Sequence, residues 1–166
     1  MPQKPSIQLA RWPIVEPGLY MDLWGNLFVT ILPGTATARE IDIYFAELAR
    51  SIDARTRSKG LFGFLMSVGD GQREDKDFMR RQGQVLKERS TILRETTAAF
   101  VMLTDSWIAR VATRVVFTLA PPPYPYAIKE TAAAGFAYLS QQGITFDPGD
   151  IEAFQQCGAR VNLFIP

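Results

Sequence analysis

The chain has 166 residues, 47% of them hydrophobic, and this length fits a single domain. Eighteen lysine and arginine residues stand against 17 aspartate and glutamate residues, so no overall positive field exists to hold nucleic acid or an anionic membrane surface. The absence of histidine, with one cysteine, Cys157, excludes Ser-His-Asp and Cys-His catalysis, an internal disulfide and a Cys-His zinc site.

The same composition carries expectations about location and cofactors. The first twenty residues contain four prolines and no apolar run of signal-peptide length, so export is not expected. The longest apolar runs are far shorter than the ~20 residues that span a bilayer, which predicts no membrane span. A single cysteine favours a reducing compartment, and the sequence predicts a cytoplasmic protein without a metal or other cofactor.

The amino-terminal part combines an arm with a hairpin. Residues 1–18 are predicted to form an irregular arm, because their prolines resist both a helix and a central strand. Residues 19–32 contain two short apolar runs around Gly25-Asn26, a dipeptide typical of a tight turn. Two antiparallel strands are therefore predicted there.

The next segment predicts a helix followed by a buried strand. Thr37 and Glu40 form a capping box, which satisfies backbone amides at a helix start. An apolar stripe with spacings of three and four follows it, formed by Ile41, Tyr44, Phe45, Leu48, Ala49 and Ile52. Residues 61–68 carry no charge and end at the turn Gly69-Asp70-Gly71, which predicts a central strand buried on both faces.

The middle of the chain repeats this alternation. Residues 73–95 are predicted to form one long amphipathic helix, because apolar residues recur every seven positions. Its interleaved charges indicate a solvated face rather than a nucleic-acid patch. Residues 97–103 predict a second buried strand, and Thr104-Asp105-Ser106 supplies N-cap chemistry for the next helix. The apolar stripe of that helix is predicted to consist of Trp107, Ile108, Val111, Ala112, Val115 and Val116.

The carboxyl-terminal third contains three further predicted elements. Residues 124–128 follow a run of prolines and predict a short edge strand, where a missing amide does no harm. Thr131 is expected to cap another helix. Residues 150–156 predict a short helix ended by Gly158, and a last strand is predicted in which Val161, Leu163 and Ile165 alternate with their neighbours.

The order of elements predicts an α/β fold. Strands that alternate with helices form right-handed crossovers, so we expect a mixed, mostly parallel sheet of about five strands with helices packed on it and an N-terminal β-hairpin. Three blocks of sequence also resemble the STAS-like (anti-sigma-factor-antagonist-like) domains, and more closely an uncharacterised bacterial branch of them. The blocks read YMDLWGNLFVTILPG, RRQGQVLKERSTILRETTAAFVML and SWIARVATRVVFTLAPPPYPYAIKETAAAGFAYL.

This resemblance covers residues 19–142 and divides the chain. It leaves residues 1–18 as an arm and residues 143–166 as a carboxyl-terminal helix and strand extension. The residues that carry it are Arg81, Phe100, Ser106, Arg110, Pro123 and Pro125. The resemblance implies a small module of bacterial signalling that binds another protein and has no catalytic residues of its own.

Phosphorylation is a further property that the resemblance implies for some members. The best-known members carry an Asp-Ser-Ser-Gly-type turn after a central strand. The corresponding turn here, Gly69-Asp70-Gly71, offers no hydroxyl group. Thr104-Asp105-Ser106 has a similar composition but follows the next strand, so Ser106 is either a phosphorylation site or a plain N-cap.

Candidate ligand-binding residues lie where strands end, because open α/β sheets bind ligands beyond the carboxyl ends of their strands. Gly69, Asp70 and Gly71 could hold an anion through backbone amides, or form a plain turn. Asp105 and Ser106 follow the next strand, and residues 129–130 follow the edge strand. Arg110 comes one turn after Ser106 and either binds a carboxylate or phosphate there or is a solvent-exposed arginine.

Two other segments have alternative interpretations. Tyr124 and Tyr126, among their prolines, could bind an aromatic groove as a polyproline II ligand or could form a rigid connector. Val161, Leu163 and Ile165 could close the sheet of their own chain or pair with a second chain, and the sequence favours a two-fold homodimer.

The sequence therefore favours a non-enzymatic protein-interaction or regulatory module. The first alternative is a small-molecule or lipid-binding protein of an α/β fold, because the apolar content is high. The second alternative is an enzyme that uses carboxylate or lysine chemistry. The partner is expected to be another protein, and no feature of the sequence identifies it.

Overall fold

The computed structural model describes residues 12–57, 60–69 and 75–166, and these form one six-stranded sheet and six helices. The strands are β1 (Ile14–Glu16), β2 (Leu19–Trp24), β3 (Leu27–Leu32), β4 (Phe62–Val68), β5 (Thr97–Leu103) and β6 (Tyr126–Lys129). The helices are α1 (Ala38–Ala54), α2 (Lys76–Glu88), α3 (Ser90–Thr96), α4 (Trp107–Leu119), α5 (Ala132–Gln141) and α6 (Asp150–Arg160). A short 3-10 helix, Arg55–Arg57, follows α1. The predicted α/β class is confirmed.

The strands lie in the sheet in the order in which they occur in the chain. The pairs β1–β2 and β2–β3 are antiparallel, whereas β3, β4, β5 and β6 run parallel to one another. The mixed, mostly parallel sheet is therefore confirmed, with six strands instead of about five. The additional strand is β1, which lies within the predicted irregular arm. It is a three-residue edge strand, where flanking prolines such as Pro13 and Pro17 are tolerated.

Two of the predicted strand assignments depend on local signals, and both are confirmed. The turn between β2 and β3 is Gly25-Asn26, where Gly25 has a φ of 64°, and Trp24 pairs with Leu27 across it. Strand β4 is buried at every position and lies between β3 and β5. The uncharged run thus forms the centre of the sheet.

The two faces of the sheet carry two separate core layers. Right-handed crossovers between neighbouring parallel strands put the connecting helices on one face. There α1, α2, α3 and α4 cover side chains such as Phe28 and Phe64. The opposite face includes Val29 and Leu65, because successive side chains of a strand point to opposite sides, and it is covered by α5 and α6.

The segment predicted as one long helix from residue 73 to residue 95 is two helices in its described part. The backbone departs from helical geometry at Arg89, with φ −111° and ψ 17°. The Arg89 guanidinium lies 2.9 Å from the Asp53 carboxylate at the end of α1. Phe78 in α2 and Leu93 in α3 are both buried. The apolar repeat continues across the break, so the repeat alone did not reveal it.

The predicted final strand does not form. Helix α6 continues past Gly158 to Arg160, and the chain turns at Asn162, which has a φ of 57°. Val161 and Ile165 then lie buried in the second core layer of their own chain, and Leu163 packs beside them. The strand pairing proposed for a homodimer through these three residues is therefore wrong, because they contribute to the core of a single chain.

Candidate interaction surface

Helix α4 begins at the N-cap that the sequence predicts. The Ser106 hydroxyl oxygen accepts a hydrogen bond from the Ala109 amide at 3.3 Å. The Thr104 hydroxyl oxygen accepts one from the Ser106 amide at 3.1 Å. The N-cap interpretation of Thr104-Asp105-Ser106 is confirmed, and Asp105 is exposed beside it. Phosphorylation of Ser106 stays a prediction.

The helix contacts the sheet through a narrow line of side chains spaced four residues apart. Ala109 and Thr113 are buried, and Phe117 packs beside them against the first core layer. The Thr113 hydroxyl lies 3.5 Å from the Met102 sulfur on β5. The Phe117 ring centroid lies 4.5 Å from that of Tyr126 on β6. Helix α4 thus rests at the β5–β6 end of the sheet.

The apolar stripe predicted for this helix lies on its exposed side. Five large apolar side chains of α4, four from the predicted stripe and Leu119 after it, are between 48% and 81% exposed, and we call them the α4 ridge: Trp107, Ile108, Val111, Val115 and Leu119. A helix that is apolar on nearly every side is normally buried. Within the part of the chain that the structure describes, no element covers this ridge. The sequence located the apolar stripe correctly, but it does not face the core.

An open cleft of about 670 Å³ lies beside the ridge, between α4, β6 and the start of α5. Its walls carry basic groups, apolar groups and one carboxylate: Arg110, Arg114, Lys129, Trp107, Val111, Ile128 and Glu130. Arg110 forms an ion pair with Glu130, which directly follows β6. Residues 129–130, predicted from their place after a strand, and Arg110, predicted from its place one turn after Ser106, therefore line the same cleft. Arg114 was not singled out, although it lies one turn after Arg110.

Gly69 has a packing role at the end of β4. Its amide donates a hydrogen bond to the Leu32 carbonyl at 2.8 Å. A Cβ atom at this position would lie 2.5 Å from the Gly34 backbone nitrogen, so only glycine permits the close approach of the two segments. Asp70 and Gly71, the other two residues of this predicted anion-binding turn, lie outside the described residues.

The tyrosines of the proline-rich segment point inward. Tyr124 is 9% exposed, and its ring packs against Phe100 in the first core layer. Tyr126 packs against Phe117 under α4. Tyr124 is therefore buried and Tyr126 is half-buried, which agrees with the rigid-connector interpretation of the segment.

Arg55 is a charged residue of the core that sequence reasoning missed. It is fully buried, and its guanidinium carbon lies 4.1 Å from the Phe64 ring centroid and 4.6 Å from that of Phe28. It also donates a hydrogen bond to the Thr97 hydroxyl at 3.1 Å. Burial lowers its pKa to about 9. The aromatic faces stabilise the cation, so we assign it a structural role.

Comparison with protein-family models, with curated proteins and with solved structures finds no significant match to this chain. Among the described residues, no helix is long and apolar enough to cross a membrane. The same part of the chain holds no group of three or more histidine, cysteine, aspartate or glutamate side chains placed to share a metal ion.

The ridge and the cleft together define what this end of the molecule can do chemically. A guanidinium offers only hydrogen-bond donors, so Arg110 and Arg114 can pair with a negatively charged group through their N–H groups. The ridge beside them offers apolar contact area. Together these groups can recognise a surface that is apolar at its centre and negatively charged at its edge.

Proposed function

We propose that this chain is a non-enzymatic protein-interaction module of the STAS-like type, active in cytoplasmic regulation in bacteria, and that its partner docks on the α4 ridge. One observation carries the proposal, namely the exposure of five large apolar side chains along a single helix. The largest exposed apolar patch of a monomeric protein covers roughly 300 to 600 Å² and is often functional. Burial of apolar area contributes about 25 cal/mol per Å², so the ridge would gain from a partner.

Two further observations support the proposal. The basic side chains beside the ridge give a docked protein a polar rim, as interfaces commonly have around an apolar centre. The resemblance to STAS-like domains, on its own blocks of sequence, also implies a module that works by binding another protein.

The proposal is tested by affinity capture of the chain and of two variants, each from cells that produce it, and by comparison of the proteins that are captured with them. Replacing Trp107 and Val115 together by serine removes apolar area from the ridge. Phe164→Ser is the matched control, because Phe164 is 83% exposed and lies outside the ridge. The parent chain should capture a partner that crosslinks to it in stoichiometric amount. We expect the amount of this partner captured by the double variant to fall by more than roughly tenfold, whereas the control captures as much as the parent. Retention of that partner by the double variant would contradict the proposal.

A second candidate function is binding of a small amphiphile in the cleft. The open cleft of about 670 Å³ has apolar walls and the cationic groups of Arg114 and Lys129, which suit a ligand that has an apolar body and an anionic end, whereas Arg110 is already paired with Glu130. Native mass spectrometry should then show a retained ligand that Arg114→Ala weakens. If native mass spectrometry shows no ligand on the chain and affinity capture yields a protein partner, the two results together favour the interaction module.

A further inference from the structure

The α4 ridge has the pattern of a helix–helix seam. Ile108, Val111 and Val115 are spaced by three and four residues, the spacing at which two helices interlock their side chains. Ala112 beside them is small and permits close approach. The charged residues of α4, Arg110 and Arg114, line the cleft along one flank, so the centre of the seam is uncharged.

The area of the ridge, when fully covered, reaches the lower limit for a specific dimer interface. At their observed exposures its five side chains present roughly 100 Å² each, or about 500 Å² per chain. Two ridges in contact would bury about 1,000 Å², which is the size at which specific interfaces begin. The formal net charge of +1 means that two copies repel each other only weakly.

The charge and aromatic pattern of α4 fits a second α4 in the antiparallel direction. Trp107 and Arg114 are seven residues apart, which puts them on the same flank of the helix two turns from each other. A two-fold axis at the level of Arg110 and Val111 places each Trp107 opposite Arg114 of the second copy. An indole ring is the best aromatic partner for a guanidinium, and the symmetry forms this contact twice.

We infer that the partner of the α4 ridge is a second copy of this chain, joined by antiparallel packing of the two α4 helices. This inference rests on the proposed function of the ridge, and it names the partner. It moves the homodimer from the tail, whose side chains are buried in one chain, to the helix whose apolar side is exposed. Arg110 does not oppose the pairing, because Glu130 already neutralises it.

Sedimentation equilibrium of the full chain at roughly 1 to 100 µM tests the inference. We expect a dimer, and we expect Val111→Glu to raise its dissociation constant by more than roughly 100-fold because it buries a charge in the seam. Val111 is about half exposed in the single chain, so thermal unfolding should show that the variant still folds. The control Phe164→Glu adds the same charge at an exposed site outside the ridge and should leave the dimer intact.

The antiparallel arrangement has a separate test. Trp107→Arg and Arg114→Glu should each raise the dissociation constant by about tenfold, and the two together should restore it through an ion pair between copies. Seven helical residues span about 10 Å, which is too far for the new pair to form easily within one helix.

Three outcomes would overturn the inference. A monomer at every concentration excludes the second copy, while the capture experiment still tests whether another protein uses the ridge. A dimer that Val111→Glu leaves unchanged places the contact elsewhere. Failure of the double variant to recover, with both single variants weakened, excludes the antiparallel arrangement.

Discussion

Glu40 is a buried carboxylate that joins two parts of the chain. It accepts hydrogen bonds from the amides of Gly18, at 2.9 Å, and Thr37, at 2.7 Å. Burial alone would raise the pKa of Glu40, but these hydrogen bonds and the neighbouring Arg39 outweigh burial and hold the pKa below its ordinary value of 4.5. The ionised form therefore links the first turn of α1 to the turn between β1 and β2.

Glu40→Gln should lower the free energy of unfolding by about 1 to 3 kcal/mol at neutral pH, because a charged acceptor of buried amides is lost. Since the folded pKa is lowered, the stability contributed by Glu40 is present above pH 4.5 and is lost as the pH falls below that value. Denaturant unfolding from pH 7 to pH 3 should show a shallower acid loss in the variant than in the parent chain. Glu152→Gln, at an exposed position of α6, is the control, and equal acid losses in all three proteins would refute the role of Glu40.

Residues whose partners are close in sequence were predictable, and residues whose partners are distant were not. Thr37 and Glu40 are three positions apart, so their reciprocal capping could be recognised from the sequence alone. Arg55 packs on rings from β3 and β4 and bonds to Thr97 on β5. Nothing in the sequence around Arg55 signals a buried guanidinium.

At the scale of elements, α6 and the residues after it act as one covering layer. The Pro166 carbonyl accepts a hydrogen bond from the Ala132 amide at 2.7 Å, which holds Pro166 beside the first turn of α5. Ile165 is 4% exposed, whereas the adjacent Phe164 is 83% exposed. The last residues thus contribute apolar burial to a single chain through alternate side chains.

Ile165→Ala should therefore lower the free energy of unfolding by about 2 to 4 kcal/mol, because it opens a cavity in the second core layer. Phe164→Ala should change it by less than about 0.5 kcal/mol, since its side chain is in solvent. Denaturant titration of both variants at one concentration measures the difference. Equal effects at the two positions would show that the tail does not pack as described.

The carboxyl-terminal residues and helix α4 show why an apolar pattern is incomplete evidence. Alternation at Val161, Leu163 and Ile165 predicts a strand, yet a turn that folds back on a helix buries alternate residues as well. Periodicity in α4 identifies which side of the helix is apolar, but it does not say what covers that side. The strand-end rule pointed to residues 129–130, and the spacing of Arg110 from Ser106 pointed to Arg110, and both predictions fall on the lining of one cleft.

At the scale of the whole molecule, the first core layer holds groups that titrate at alkaline pH. Burial raises the pKa of Tyr124 from 10.0 to about 12, and burial also raises the pKa of Tyr44. A tyrosine whose pKa is raised by folding contributes stability that is present below pH 10 and is lost as the pH rises toward the pKa of that tyrosine in the folded protein. Arg55 acts in the opposite direction, because burial lowers its pKa from 12.5 to about 9, so its contribution rises across that interval.

Comparison of the parent chain with Tyr124→Phe tests one of these opposing contributions. Arg55 and Tyr44 are present in both proteins and each interacts electrostatically with Tyr124, so the difference between the two stability profiles reports on Tyr124 together with its effect on these two neighbours. The parent should lose about 2 to 3 kcal/mol more than the variant between pH 10 and pH 12, because ionisation of a buried phenol favours unfolding. Denaturant unfolding at half-unit steps of pH measures this difference, with tyrosinate absorbance to follow the ionisation.

Phe136→Leu, which lowers packing in the opposite layer without removing a titrating group, should shift the whole profile and leave its alkaline slope unchanged. If Tyr124→Phe follows the parent profile at a constant offset, Tyr124 is not the group whose burial limits alkaline stability.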